Sequence, residues 1–70
     1  MALVRSEISG SVWKIEVAVG AKVAVGDTLL ILESMKMEIP VEAEIAGVVE
    51  AIHVADGDPV KEGQTLMVLA

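Results

Sequence analysis

The sequence predicts an all-β protein, a flattened antiparallel β-barrel or sandwich made of two halves related by a pseudo-twofold axis. Three observations predict it: a repeat at one fixed offset, short β-branched runs punctuated by glycine, and a stretch of strict apolar/polar alternation near the middle of the chain.

Sliding the chain against itself by 37 positions aligns Val4 with Val41, Glu7 with Glu44, Ile8 with Ile45, Gly10 with Gly47, Val12 with Val49 and Ile15 with Ile52. The match continues through Val17 and Val54, Gly20 and Gly57, Val23 and Val60, Gly26 and Gly63, Thr28 and Thr65, Leu29 and Leu66, and Leu32 and Leu69. Glycines and apolar positions that stay in step for so long mark two copies of one supersecondary unit. Neither copy can bury its apolar face alone, so the two close on each other.

Within each copy the elements are strands. "GSVWKIEVAVGAKVAVGDTLLIL" and "GVVEAIHVADGDPVKEGQTLMVL" are short Val- and Ile-rich runs separated by turn residues. Gly20 with Gly26, and Gly57 with Gly63, fit turns that need positive φ, and "DGDP" adds further turn chemistry. At the start of the second copy Met37, Ile39, Val41, Ala43 and Ile45 share one face while Glu38, Glu42 and Glu44 take the other, the pattern of a half-buried strand in which Pro40 marks an edge or a bend.

Seventy residues make one small domain, residues 1–70, since a chain this short buries only about 60% of its unfolded surface. There is no cysteine, so packing alone must hold the fold together, and a reducing cytoplasm suits the composition. No apolar run approaches the roughly 18 to 20 residues of a membrane span, and the N-terminus lacks signal-peptide character. Eleven acidic against five basic residues give net charge −6, which repels phosphate backbones, and neither Phe nor Tyr is present to stack bases. Nucleic acid and membrane are therefore not expected as partners.

The junction between the copies carries "ESMKMEIPV", Glu33 to Val41. With Met35 and Lys36 at the centre of a two-residue hairpin, Ser34 pairs with Met37, Glu33 with Glu38, Leu32 with Ile39 and Leu30 with Val41, and the apolar pairs all face the core. That register is costly in two ways. Two-residue hairpin turns favour Asn, Asp or Gly at positive φ, and Glu33 opposite Glu38 places like charges across a pair. Two methionines at a solvent-facing tip also expose apolar area that folding does not use. The competing interpretation is that lysine blunts a strand end and methionine fills an irregular core. By the repeat, this junction lies at the pole opposite the chain ends.

"ESMKMEIPV", at the join of two glycine-punctuated β repeats, resembles the modification site of the biotinyl/lipoyl attachment domain family, and the Met-Lys-Met triplet is similar to its biotin side. The likeness covers essentially the whole chain and implies a barrel-sandwich hybrid fold. It implies a biotin carboxyl carrier with covalent biotin on Lys36, and recognition by partner enzymes through Met35 and Met37 within the frame of Glu33, Ser34 and Glu38. Ser34 sits where many members have Ala. An exposed ammonium is a poor nucleophile, so acylation needs an activated donor, which the resemblance gives as biotinyl-adenylate held by a biotin protein ligase. It further implies a biotin carboxylase and a carboxyltransferase as the partners between which carboxyl groups pass. Some members insert a protruding thumb in the first half; here the halves align without a gap and leave no room for one.

Two alternatives stay open: a lipoyl acyl carrier, for which an acidic residue before the lysine would be usual, and an unmodified barrel-sandwich interaction module. The chain is not read as an enzyme, since it has no nucleophile–base arrangement or phosphate-cradling loop. Trp13 aligns with Glu50 and His53 with Glu16, which places both outward, and His53 has no second ligand at metal-binding spacing. Lys14, Lys22 and Lys61 are expected to be exposed as well.

Overall fold

A computed structural model describes residues 1–70 as eight strands and no helix. They are β1 (Ala2–Arg5), β2 (Gly10–Ile15), β3 (Lys22–Val23), β4 (Thr28–Ser34), β5 (Met37–Glu42), β6 (Gly47–Ile52), β7 (Pro59–Val60) and β8 (Thr65–Leu69). They form two antiparallel four-stranded sheets, ordered β1-β8-β6-β3 and β5-β4-β2-β7. Adding 37 to the residue numbers carries β1 onto β5, β2 onto β6, β3 onto β7 and β4 onto β8, so it carries one sheet onto the other. Each sheet takes two strands from each half. The halves are thus interwoven rather than stacked, and the expected pseudo-twofold barrel-sandwich is the observed one.

The backbone hydrogen bonds between the halves come in pairs related by the same offset. Gly20 N–H donates to the Val49 carbonyl, and Gly57 N–H to that of Val12. Val12 N–H donates to Asp58, and Val49 N–H to Ala21. Gly26 donates to Ala43, and Gly63 to Ser6. The four turn glycines all have positive φ, between 86° and 93°. At Gly57 the reason is plain: only in that conformation does its amide turn back onto β2, and an L side chain there would be strained.

The core is filled in the same paired fashion. Val12 with Val49, Val23 with Val60, Leu29 with Leu66, Leu30 with Met67 and Leu32 with Leu69 are all buried in one cluster. Leu29 and Leu66 are the extra residues of two equivalent β-bulges, between Thr28 and Leu30 in β4 and opposite Val4 and Arg5 in β8. A bulge turns both of two successive side chains inward, which explains why Leu29 and Leu30 are both fully buried. The one buried polar side chain is Ser6, whose counterpart is Ala43; its hydroxyl donates to the Ile8 carbonyl at 2.6 Å and accepts from the Ile8 amide at 3.3 Å.

Two details differ from the sequence reading. The alternating stretch is shorter than its pattern, because β5 ends at Glu42 and the chain bends at Glu44 and Ile45. Ile45 is consequently 43% exposed, whereas Met37, at the other end, faces solvent as expected of a tip residue. Trp13 is outward as expected, through an unforeseen device: it is the unpaired residue of a bulge between Val12 and Lys14, matched by Glu50 between Val49 and Ala51. Pro40 sits on an edge strand, where its missing N–H costs the ladder least.

The molecule is elongated, 30 × 18 × 17 Å. Ala2 pairs with Leu69, which sets the two chain ends side by side. β5 runs away from the β4–β5 hairpin, and after Ala46 the chain reaches Gly47, packed against the Ala70 carbonyl. The hairpin and the termini therefore occupy opposite poles. Joining Ala70 to Met1 through a short flexible linker should raise stability by on the order of 1 kcal/mol by restricting the unfolded chain. A comparison of urea midpoints for cyclised and linear protein checks this, and a large loss of stability would contradict the adjacent ends.

Candidate functional site

β4 and β5 pair as Leu30↔Val41, Leu32↔Ile39, Glu33↔Glu38 and Ser34↔Met37, leaving Met35 and Lys36 as a two-residue loop. This is the register that the apolar pattern dictates. Both loop residues have positive φ, 53° at Met35 and 64° at Lys36, and they are the only non-glycine residues in the chain that do. A two-residue turn that matches the twist of its strands requires this conformation, and each L side chain held in it costs about 1 to 2 kcal/mol. The cost is borne at a single place, beneath the lysine.

The side chains at the tip are turned out. Met35 is 92% exposed and Met37 64%, whereas Met67 is wholly buried in the core. The core-filler role of methionine thus belongs to Met67, and the tip methionines take no part in the core. Lys36 is exposed and makes no ion pair; the one salt bridge in the protein is Lys14 to Glu16, 3.8 Å apart on the surface. Glu33 and Glu38 lie directly opposite each other on the outer face of the sheet, as the second pair below the loop.

The hairpin is held at its base by contacts that the sequence pattern did not reveal. Ser34 Oγ donates to the Ser9 carbonyl at 3.0 Å, and Glu62 N–H donates to Ser9 Oγ at 3.3 Å. Ser11 pairs with Glu33, and the Cα of Gly10 lies so close to the Glu33 carbonyl that a Cβ there would collide with it. The equivalent contact at the other pole is Gly47 against Ala70, but Ser9 is replaced there by Ala46. That break in the repeat was the available signal for the Ser9 contact; the pairing of Ser11 with Glu33 depends on tertiary register and left no mark in the sequence. Trp13 and His53 are both exposed and belong to no common cluster with the hairpin.

The family described as "Biotin-requiring enzyme", which comprises the biotinyl/lipoyl attachment domains, matches residues 3–69. The chain belongs to this family. Among curated relatives, the biotinylated protein TB7.3 homolog of Mycolicibacterium smegmatis is 58% identical over 40 residues, 57% of this chain and 56% of that protein. The biotin/lipoyl attachment protein of Bacillus subtilis is 46% identical over 37 residues, 53% of this chain and 51% of that one. The matched segments thus span about half the length of these relatives. Among solved structures, the Kluyveromyces lactis urea carboxylase superposes with a TM-score of 0.93 at 39% identity, over 99% of this chain and 6% of that one. A single-chain, multi-domain long-chain acyl-CoA carboxylase gives 0.89 at 29% identity, over 94% of this chain and 6% of that one. The fold is therefore that of attachment domains embedded in much longer carboxylases.

Replacing the strained pair by the residues a hairpin prefers, Met35→Asn with Lys36→Gly, should stabilise the protein by about 1 to 2 kcal/mol. Chemical denaturation of parent and double variant checks this. Equal midpoints would mean that the loop carries no strain.

Proposed function

We propose that residues 1–70 act as one biotin carboxyl carrier unit in which Lys36 bears biotin in amide linkage. The observation that carries this reading is the pair of left-handed residues at Met35 and Lys36 with both flanking methionines held in solvent. A turn selected for stability alone would remove this arrangement, and a turn selected to be read by another protein would keep it. The site fits the group: Lys36 is exposed, has no carboxylate bound to it, and stands at the end of the long axis, where an enzyme can close around it.

Bound biotin supplies a ureido nitrogen able to hold a carboxyl group. The protein supplies the rest. Lys36 Nζ is the nucleophile for attachment once a ligase has stripped its proton. Met35 and Met37 offer flexible apolar contact to successive partners of different shape, a role to which unbranched thioethers are suited. Glu33, Ser34 and Glu38 frame the loop, with Ser34 fastening it to Ser9. We infer a biotin protein ligase as the modifying enzyme, and a biotin carboxylase and a carboxyltransferase as the two stations the tethered group visits. Tethering keeps the cofactor at high effective concentration near each station without a tight complex at either.

Co-expression with a biotin protein ligase should add one biotin to the intact mass of the parent and none to Lys36→Ala. Lys14, Lys22 and Lys61 are also exposed, but none sits in a left-handed hairpin loop. Streptavidin signal retained in Lys36→Ala would overturn the assignment, and a lipoate increment in place of biotin would identify an acyl carrier.

Met35→Asp should lower ligase kcat/KM about tenfold or more, with little change in unfolding temperature, because it sets a third carboxylate beside Glu33 and Glu38. Initial rates of biotin incorporation, set beside thermal melts, separate recognition from folding. Equal rates for variant and parent would show that the ligase does not read this side chain.

A further inference from the structure

The two sheets do not close on every side. β1 pairs only with β8 and β5 only with β4, and between these two edge strands runs an open groove of about 740 Å³. Its lining obeys the repeat, with Val4 opposite Val41 and Leu32 opposite Leu69, so the pseudo-twofold axis runs through it. The charges break the symmetry: Arg5 lines one side where Glu42 lines the other. Arg5 is exposed and takes part in no salt bridge.

Only one end of the groove lies near Lys36. Ile8 precedes Ser9, whose carbonyl receives the Ser34 hydroxyl at the hairpin base, and Ile39 is three residues along β5 from the lysine. At about 3.4 Å per strand residue, Ile39 is roughly 10 Å from Lys36. A biotinyl-lysine arm contains some eleven bonds from Cα to the bicyclic ring, roughly 14 Å when extended. The near end is thus within reach of the tether, and the far end, beside the termini, is not.

We propose that the lysine-proximal end of this groove, formed by Arg5, Ile8, Leu32 and Ile39, is a resting site for the bicyclic ring of biotin carried on Lys36. The proposal rests on the attachment of biotin argued above. Ile8 and Ile39 are partly buried and offer an apolar wall to the thiophane face of the ring, with Leu32 beneath them. The Arg5 guanidinium supplies donors for the one strong acceptor of the ring, its ureido carbonyl. An extended peptide strand is the poorer occupant: Pro40 removes a donor from the edge of β5, and β1 is only four residues long. Because the groove is open, retention is weak and reversible, which leaves the arm free for partner enzymes.

The test compares methyl and amide NMR spectra of the full chain with Lys36 biotinylated, as verified by intact mass, and unmodified. Biotin should shift the methyl signals of Ile8 and Ile39 and the Arg5 side chain, beyond the expected changes at residues 34–38. Streptavidin capture of the biotinylated protein should become about two- to tenfold faster in Ile39→Ser, as the docked population is released. Arg5→Gln, at an exposed position, gives a second variant whose folding is not in question. Failure of the ligase to add biotin would overturn the attachment itself and this site with it. Biotin present by mass, with shifts confined to residues 34–38 and unchanged capture rates, would overturn the resting site alone. Shifts at Ile8 and Ile39 that grow with concentration in unmodified protein would assign the groove to a second copy of the chain and also overturn it.

Discussion

The fold depends on an exchange: each half satisfies backbone groups that the other cannot satisfy for itself. The Gly20 amide needs the Val49 carbonyl, and the Gly57 amide needs that of Val12, while Val12 and Val49 in turn donate across to Asp58 and Ala21. Buried or half-buried peptide groups left unpaired would be costly, so neither half is a stable structure alone. The paired core repeats the point, since every large buried side chain of the first half has its partner 37 residues on. A 70-residue chain without cysteine gains its cohesion from this interweaving.

Symmetry of this kind supplies an internal control, because a position shaped only by folding should look alike in both copies. The glycine turns, the two leucine bulges and the core pairs do. The departures are concentrated on the surface: Trp13 against Glu50, Arg5 against Glu42, Ser9 against Ala46. The greatest departure is topological. The hairpin that joins β4 to β5 has as its counterpart the gap between the chain ends, so the tip is the one place where the two-copy design made a connection and had to choose a turn. It chose Met and Lys where folding favours Asn and Gly.

Much of this was legible in the sequence because the repeat constrains so strongly. A one-residue slip of the edge strand β5 against β4 would have turned Ile39 and Val41 outward and Glu38 inward, so the apolar pattern agrees with the register that leaves Met35 and Lys36 as the loop. The exposure of Trp13 followed from its alignment with a carboxylate. What could not be seen were features set by the meeting of distant segments: the bulges, which depend on how two strands fit, and the approach of Gly10 to the Glu33 carbonyl. The open seam between β1 and β5 was likewise invisible, because alternation specifies which face a side chain takes and not whether two edges meet. Ile45 was misplaced for a related reason, its periodicity continuing past the point where the backbone bends.

The same physics links strain at the tip to the stiffness beneath it. A left-handed pair that costs a few kcal/mol persists only where its surroundings over-determine it, and here three contacts with the segment from Ser9 through β2 hold the base. β2 pairs with β4, Gly10 admits the Glu33 carbonyl at contact distance, and Ser34 bonds to Ser9. A loop fixed in this way loses little conformational entropy when a partner closes on it, so more of the contact energy from Met35 and Met37 remains for recognition. Freedom of movement is then left to the exposed side chains of the tip, above all the lysine and whatever it carries. For a carrier this division is useful: a mobile loop would add entropy loss at every docking event, whereas a mobile arm on a rigid loop adds reach at none of that cost.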